Sequence, residues 1–192
     1  VGTLYSAFRG VVDLDRWSDT SNLHESWEGR TQLIATMIPD GVRVTEFGAG
    51  RLVLRTLLPS SVRYTPSDIV SRSSDTIVCD LNEPLPDFPD QDVAVFSGVI
   101  EYVRDVPGLA RSLQKWFPEV IVSYAPVAGF SVRNWFYRRR VGWMHDMSEQ
   151  ALLAAFKDGG YECSEIRLWA NQRIYRFVRN GRPGAASANG SR

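Results

Sequence analysis

Short runs rich in β-branched and aromatic residues alternate along this chain with stretches of helical periodicity, and that alternation restricts it to an α/β sheet with crossover helices. Arg43 to Phe47 reads as a first strand, Arg63 to Ser67 as a second, Thr76 to Cys79 as a third, Val93 to Ser97 as a fourth and Val120 to Tyr124 as a fifth. Runs this short and apolar suit parallel strands buried on both faces. Between the last two, Leu109, Leu113 and Trp116 recur at helical spacing behind Asp105 and Pro107, a cap and a first-turn proline. A further helix runs from Ser148 through Leu152, Leu153 and Phe156 to a stop at Gly159-Gly160. An opening helix, roughly Glu28 to Ile38, precedes the first strand, and a helix from Arg51 is cut short by Pro59. Tyr161 to Trp169 and Gln172 to Val178 close the pattern as an antiparallel hairpin around Ala170-Asn171.

With 192 residues, 44% of them hydrophobic, the chain suits one globular domain. Its 22 basic and 22 acidic residues cancel, so no net field draws it to nucleic acid or to an anionic membrane. Cys79 and Cys163 lie far apart and support neither a disulfide framework nor a zinc site, and no metal is expected. No apolar run approaches the roughly 20 residues needed to span a bilayer, and no charged-then-apolar signal pattern opens the chain. A cytoplasmic protein is the expectation. Residues 1–40 read as a helical segment able to fold over a pocket as a lid, 41–179 as the main domain with an insertion at 126–147, and 180–192 as a disordered tail.

Glu46-Phe47-Gly48-Ala49-Gly50 sits where the first strand gives way to a helix, the place at which an open α/β sheet binds nucleotide-like ligands. A dinucleotide fingerprint wants a third glycine where Val53 stands, and a turn hospitable to pyrophosphate. Glu46 instead places a carboxylate beside the turn, which repels pyrophosphate and suits a ligand carrying ammonium and sulfonium charges. Asp68 follows the second strand, near the offset of about 20 residues at which an acidic side chain reaches ribose hydroxyls; it also fits a turn aspartate after Pro66-Ser67. Asp80 either accepts from an adenine amino group or caps the Asn82-Glu83-Pro84 turn. Val99 and Ile100 read as core, and Glu101 and Tyr102 as either a solvated helix start or pocket residues.

Taken in order, Val44 to Gly50, Ser67-Asp68, Cys79-Asp80-Leu81, Phe96-Ser97-Gly98-Val99-Ile100-Glu101-Tyr102-Val103 and His145-Asp146-Met147-Ser148-Glu149 resemble the class I (Rossmann-like) S-adenosylmethionine-dependent methyltransferases, from Thr31 to Arg179. The resemblance implies a doubly wound, mostly parallel seven-stranded sheet ending in an antiparallel hairpin, and S-adenosyl-L-methionine as cofactor. It implies that Glu46, Gly48, Ala49 and Gly50 hold the methionine portion, Asp68 the ribose and Asp80-Leu81 the adenine, with Ser97, Gly98 and Val99 closing over the ligand. Many members carry a third glycine where Leu52 stands.

On the acceptor side, the stretch from Pro126 to Met147 holds Arg133, Arg138, Arg139 and Arg140 among Phe130, Trp135, Phe136, Tyr137 and Trp143. Either these residues bind an anionic or flat acceptor, or the arginines form the wet face of a helix whose aromatics pack on the sheet. Single-stranded nucleic acid is a minor alternative for one such cluster in a neutral chain. Trp17, Tyr124, Arg133, Tyr137, Arg138 and Trp143 are the substrate-contact expectations, and His145 is the expected base for a hydroxyl acceptor because its ordinary pKa lies near neutrality. The leading expectation is therefore a methyltransferase acting on an oxygen of a metabolite, sugar or lipid-linked intermediate. The competing one is a non-catalytic module of the same fold that docks a partner protein through its Arg/aromatic segment.

Overall fold

The computed structural model describes residues 2–129 and 131–181; Phe130 and residues 182–192 of the expected tail lie outside the described residues. Seven strands, β1 Arg43–Phe47, β2 Arg63–Asp68, β3 Ile77–Val78, β4 Val93–Phe96, β5 Glu119–Tyr124, β6 Tyr161–Trp169 and β7 Gln172–Arg179, make one sheet in the order β3-β2-β1-β4-β5-β7-β6. The first five are mutually parallel, and β7 inserts antiparallel between β5 and β6. The order turns back between β1 and β4, which opens a crevice beyond their carboxyl ends.

The helices are α1 Thr3–Arg9, α2 Leu14–Ser18, α3 Glu28–Ala35, α4 Val53–Leu57, α5 Val106–Leu113, α6 Val132–Arg140 and α7 Glu149–Asp158. Local chemistry explains their ends. Asp105 caps α5 by accepting from the Gly108 amide at 2.8 Å, with Pro107 in the first turn, and Ser148 caps α7 through the Ala151 amide at 3.1 Å. Pro59 obliges Leu58 to be extended, and α4 stops at Leu57.

Both faces of the central strands β4 and β5 are dry, and their side chains alternate between them. On β4, Ala94 and Phe96 join the cluster under α5 and α7, whereas Val93 and Val95 join that under α3 and α4; on β5, Val120 and Val122 take the first side and Ile121 the second. Among the described residues, no helix is long and apolar enough to cross a membrane, and no group of three or more metal-ligating side chains gathers.

The 126–147 stretch is organised by α6, capped by Ser131, and it matches the wet-arginine alternative only in part, with Arg133 and Arg140 exposed but Arg138 not. Arg138 is buried because its guanidinium donates to the Ala125 carbonyl, pairs with Asp146 at 3.5 Å and lies over the Trp143 ring, while Val132, Phe136 and Tyr137 are exposed. α1 packs against α6, with Phe8 edge-on to Trp135 at 5.8 Å between ring centroids.

Candidate functional site

The crevice at the β1/β4 turn-back encloses about 210 Å³. Its floor is the β1 turn. Gly48 and Gly50 have φ of 69° and 50°, which glycine adopts without cost, and a Cβ on Gly48 would stand 2.3 Å from Cγ2 of Val99. The Gly48→Ala protein is therefore expected to lose about 1–2 kcal/mol of stability from the left-handed penalty, and more from the displacement of Val99. Urea unfolding checks this, and unchanged stability would show that the turn tolerates a Cβ. Leu52 keeps the same left-handed backbone, φ 59°, at the position where many members of the resembled family carry glycine.

Glu46 is buried at the end of β1, and its Oε2 accepts from the Tyr64 hydroxyl at 2.5 Å. Burial pushes its carboxyl up to about 8 against the pull of that hydroxyl, with Asp68 adding to the rise and Arg30 opposing it. Arg30, from α3, is also buried, and burial moves its pKa down while Glu101 and Glu46 move it up. Its guanidinium donates to the Ser97 hydroxyl from Nε and to the Ser97 carbonyl from Nη2, both at 3.0 Å, and to Gln172 Oε1 from Nη1 at 3.1 Å. A buried carboxyl and a buried guanidinium thus line one crevice, each acting on the charge of the other in a poorly solvated place.

Asp68, at the end of β2, is buried and accepts from the Gly50 amide at 2.9 Å and the Val70 amide at 3.0 Å. Arg72 pairs with it, Nε to Oδ2 at 3.2 Å, and Nη2 of the same guanidinium donates to the Trp17 carbonyl at 2.9 Å, tying the β2 end to the N-terminal segment. Asp80 accepts from the Asn82 amide at 2.9 Å, the turn geometry weighed for it, and lines the crevice with Leu81. The crevice lining includes Glu46, Gly48, Ala49, Gly50, Asp68, Asp80, Leu81, Ser97, Gly98 and Val99 together, along with Trp17, Leu23, His24 and Trp27 from the segment before β1.

The acceptor-side residues divide. Trp17 and Trp143 line the crevice. Arg133 and Tyr137 are exposed on α6, and Arg138 and Tyr124 are buried away from the crevice, so none of these four stands where a ligand of the crevice would meet it. His145 is also outside the lining. Its Nε2 donates to the Ile100 carbonyl at 2.9 Å, its Nδ1 accepts from the Tyr124 hydroxyl at 3.3 Å, and that hydroxyl accepts from the Met147 amide at 2.8 Å. Burial moves the imidazole pKa down. A neutral ring with both nitrogens engaged orders the chain between β5 and α7, so the residue expected as base stands in a structural hydrogen-bond network outside the crevice lining.

Sequence reasoning did not single out Arg30, Tyr64, Arg72 or Gln172, and left Glu101 undecided. The signal within reach was Glu46: a carboxylate at a buried strand end requires partners, although which residues supply them is a matter of tertiary contact.

No family profile and no curated protein matches the chain by sequence. Solved structures do match by shape. The mitomycin 7-O-methyltransferase superposes with a TM-score of 0.67 at 16% identity, over 93% of this chain and 61% of that one. The neocarzinostatin-biosynthesis O-methyltransferase, solved with S-adenosyl-L-homocysteine and 1,4-dihydroxy-2-naphthoic acid, gives 0.62 at 16% identity over 86% and 60%. The magnesium protoporphyrin IX methyltransferase of Synechocystis PCC 6803, solved with bound S-adenosylhomocysteine, gives 0.57 at 17% identity over 81% and 83%. The chain has the class I methyltransferase fold. It spans about three fifths of the length of the first two of these structures. Within the class I fold, the crevice described above is the one beyond the carboxyl ends of β1 and β4, where an open α/β sheet takes its ligand.

Proposed function

We propose that the protein binds S-adenosylmethionine in this crevice and transfers its methyl group to an oxygen of a small-molecule acceptor. The observation that carries the reading is that buried Glu46 and buried Arg30 line one crevice beside the glycine turn. An amino-acid zwitterion presents an ammonium and a carboxylate, and the two side chains complement both. Pyrophosphate meets a carboxylate at this point and is disfavoured. Asp68 then takes the ribose hydroxyls, sharing or displacing Arg72, and Asp80-Leu81 border the adenine. The structural neighbours solved with S-adenosylhomocysteine support the same ligand class.

Methyl transfer from a sulfonium is an in-line displacement in which positioning and exclusion of water contribute much of the rate. Trp17, Trp27 and Trp143 supply apolar walls for that exclusion, and the N-terminal segment acts as a lid tied down by Arg72. The flat walls suit an aromatic acceptor.

The deciding experiment is calorimetry with S-adenosylmethionine and S-adenosylhomocysteine. Micromolar binding is expected, and NAD binding more tightly than either would overturn the reading. The Asp68→Ala protein should bind S-adenosylhomocysteine more weakly by about 1.5–3 kcal/mol, the scale of hydrogen bonds to a charged group. Equal affinity in that variant removes Asp68 from the ribose.

A second reading has one observation in its favour. Val132, Phe136 and Tyr137 on α6 and Tyr5 and Phe8 on α1 are exposed apolar side chains on two packed helices, a surface suited to a protein contact. On that reading the fold is a docking module that holds cofactor without turnover. Labelled methyl donor incubated with a broad panel of phenols and hydroxylated acids separates the two, since only the enzyme transfers label.

A further inference from the structure

Glu101 follows β4 in a one-turn 3-10 helix, Ile100–Tyr102, and its side chain is 1% exposed. Neither carboxylate oxygen has a hydrogen-bond partner. A buried carboxylate left unpaired is costly and is rare in folded proteins unless a ligand completes it. Glu101 lines the crevice together with Ser97, Gly98, Val99, Tyr102 and Trp143, and its backbone carbonyl accepts from the Met144 amide at 2.8 Å. The charged groups that act on it are Arg30 from α3 and Arg138 from α6; burial moves its pKa up, and nearby amides and these two cations move it down. Every other carboxylate that lines the crevice already has a partner: Glu28 has Arg51, Glu46 has Tyr64, Asp68 has Gly50 and Arg72, and Asp80 has Asn82.

We propose that Glu101 is the catalytic base, its carboxylate standing where the transferred methyl meets the acceptor and taking the proton of the acceptor hydroxyl. This rests on the methyltransferase reading above. In the step, the acceptor oxygen forms a bond to the methyl carbon, the carbon–sulfur bond breaks with its electron pair passing to sulfur, and the hydroxyl proton moves to Glu101. The products are the methyl ether, the neutral thioether and a protonated Glu101, which returns its proton to water after release. A carboxylate in this position also favours a positive charge next to the sulfur, and that preference is measurable without knowing the acceptor.

The probes are S-adenosylhomocysteine, neutral at sulfur, and sinefungin, in which a carbon bearing a protonated amine replaces the sulfur. Both share the adenosine and the amino-acid end, so contacts with Glu46, Arg30 and Asp68 cancel in the ratio of affinities. The native protein is expected to prefer sinefungin by roughly tenfold, the low end for a hydrogen bond to a charged partner. Glu101→Gln and Glu101→Ala are expected to bind S-adenosylhomocysteine as the native protein does, which also shows that they fold, and to lose the preference. A native protein that binds both ligands equally overturns the proposal, as does a preference that survives both substitutions. A native protein that binds neither ligand overturns the methyltransferase reading itself, and this proposal with it.

Discussion

Ligand-free protein is expected to lose stability as the pH rises from about 4.5 towards 8, and the Glu46→Gln protein is expected to lose much less. Glu46 has an ordinary carboxyl value of 4.5 when exposed in the unfolded chain and about 8 in the folded one, chiefly because it is buried. Below the lower value the group is neutral in both states and costs nothing. Above the higher one it is charged in both, and only the folded protein bears the cost of holding that charge out of water. Stability is therefore present at low pH and declines through the window, by up to ~1.4 kcal/mol per pH unit. Glutamine keeps an acceptor for the Tyr64 hydroxyl and does not titrate. Urea unfolding across this range measures both slopes, and parallel slopes would mean that Glu46 is not the group responsible. The same linkage bears on ligand binding: an ammonium placed against Glu46 near pH 7 should expel a proton, visible as a dependence of binding heat on buffer.

The second large effect is expected at the aromatic cluster beneath the glycine turn. Phe47 is 1% exposed and stacks on Phe96 at 4.8 Å between centroids, with Phe88 and Phe117 edge-on at 5.1 and 5.8 Å. Phe47→Ala removes the ring that the other three pack against, and a loss of about 3–5 kcal/mol follows from the cavity and the buried area forgone. Leu57, half-exposed at the end of α4, serves as the comparison, with a change within ~1 kcal/mol on truncation. Equal losses at the two positions in denaturant titrations would show that the Phe47 cluster is not close-packed. Because Phe47 directly precedes Gly48, a ligand-binding loss is expected alongside, and ligand-induced stabilisation measured on the same samples separates the two.

The acceptor side gives the most instructive contrast with expectation. A histidine in a long connection invites a catalytic role, yet Ile100 and Tyr124 consume both of its ring nitrogens. An arginine-rich helix invites a wet face, yet Arg138 is buried while Phe136 and Tyr137 face outward. In both cases the partners that absorb the side chain's capability lie outside its own helix or turn: Ile100 and Tyr124 for His145, and Ala125, Trp143 and Asp146 for Arg138.

What the sequence determined by itself was the sheet and the turn. Short β-rich apolar runs, capped helices and the Ala170-Asn171 hairpin are local, and each names its own element because neighbouring residues decide it. The Glu46 to Gly50 segment, with Asp68 and Asp80 at the ends of later strands, was legible for the same reason: parallel strands bring their carboxyl ends to one edge, so position along a strand predicts position in the crevice. Only the tertiary structure decided what neutralises Glu46, what holds Asp68 in the free protein and what leaves Glu101 without a partner. Tyr64 from β2 donates to Glu46, Arg30 from α3 lines the same crevice, and Arg72, held on the Trp17 carbonyl, pairs with Asp68; the charge balance of a buried site depends on distances of a few ångströms between elements.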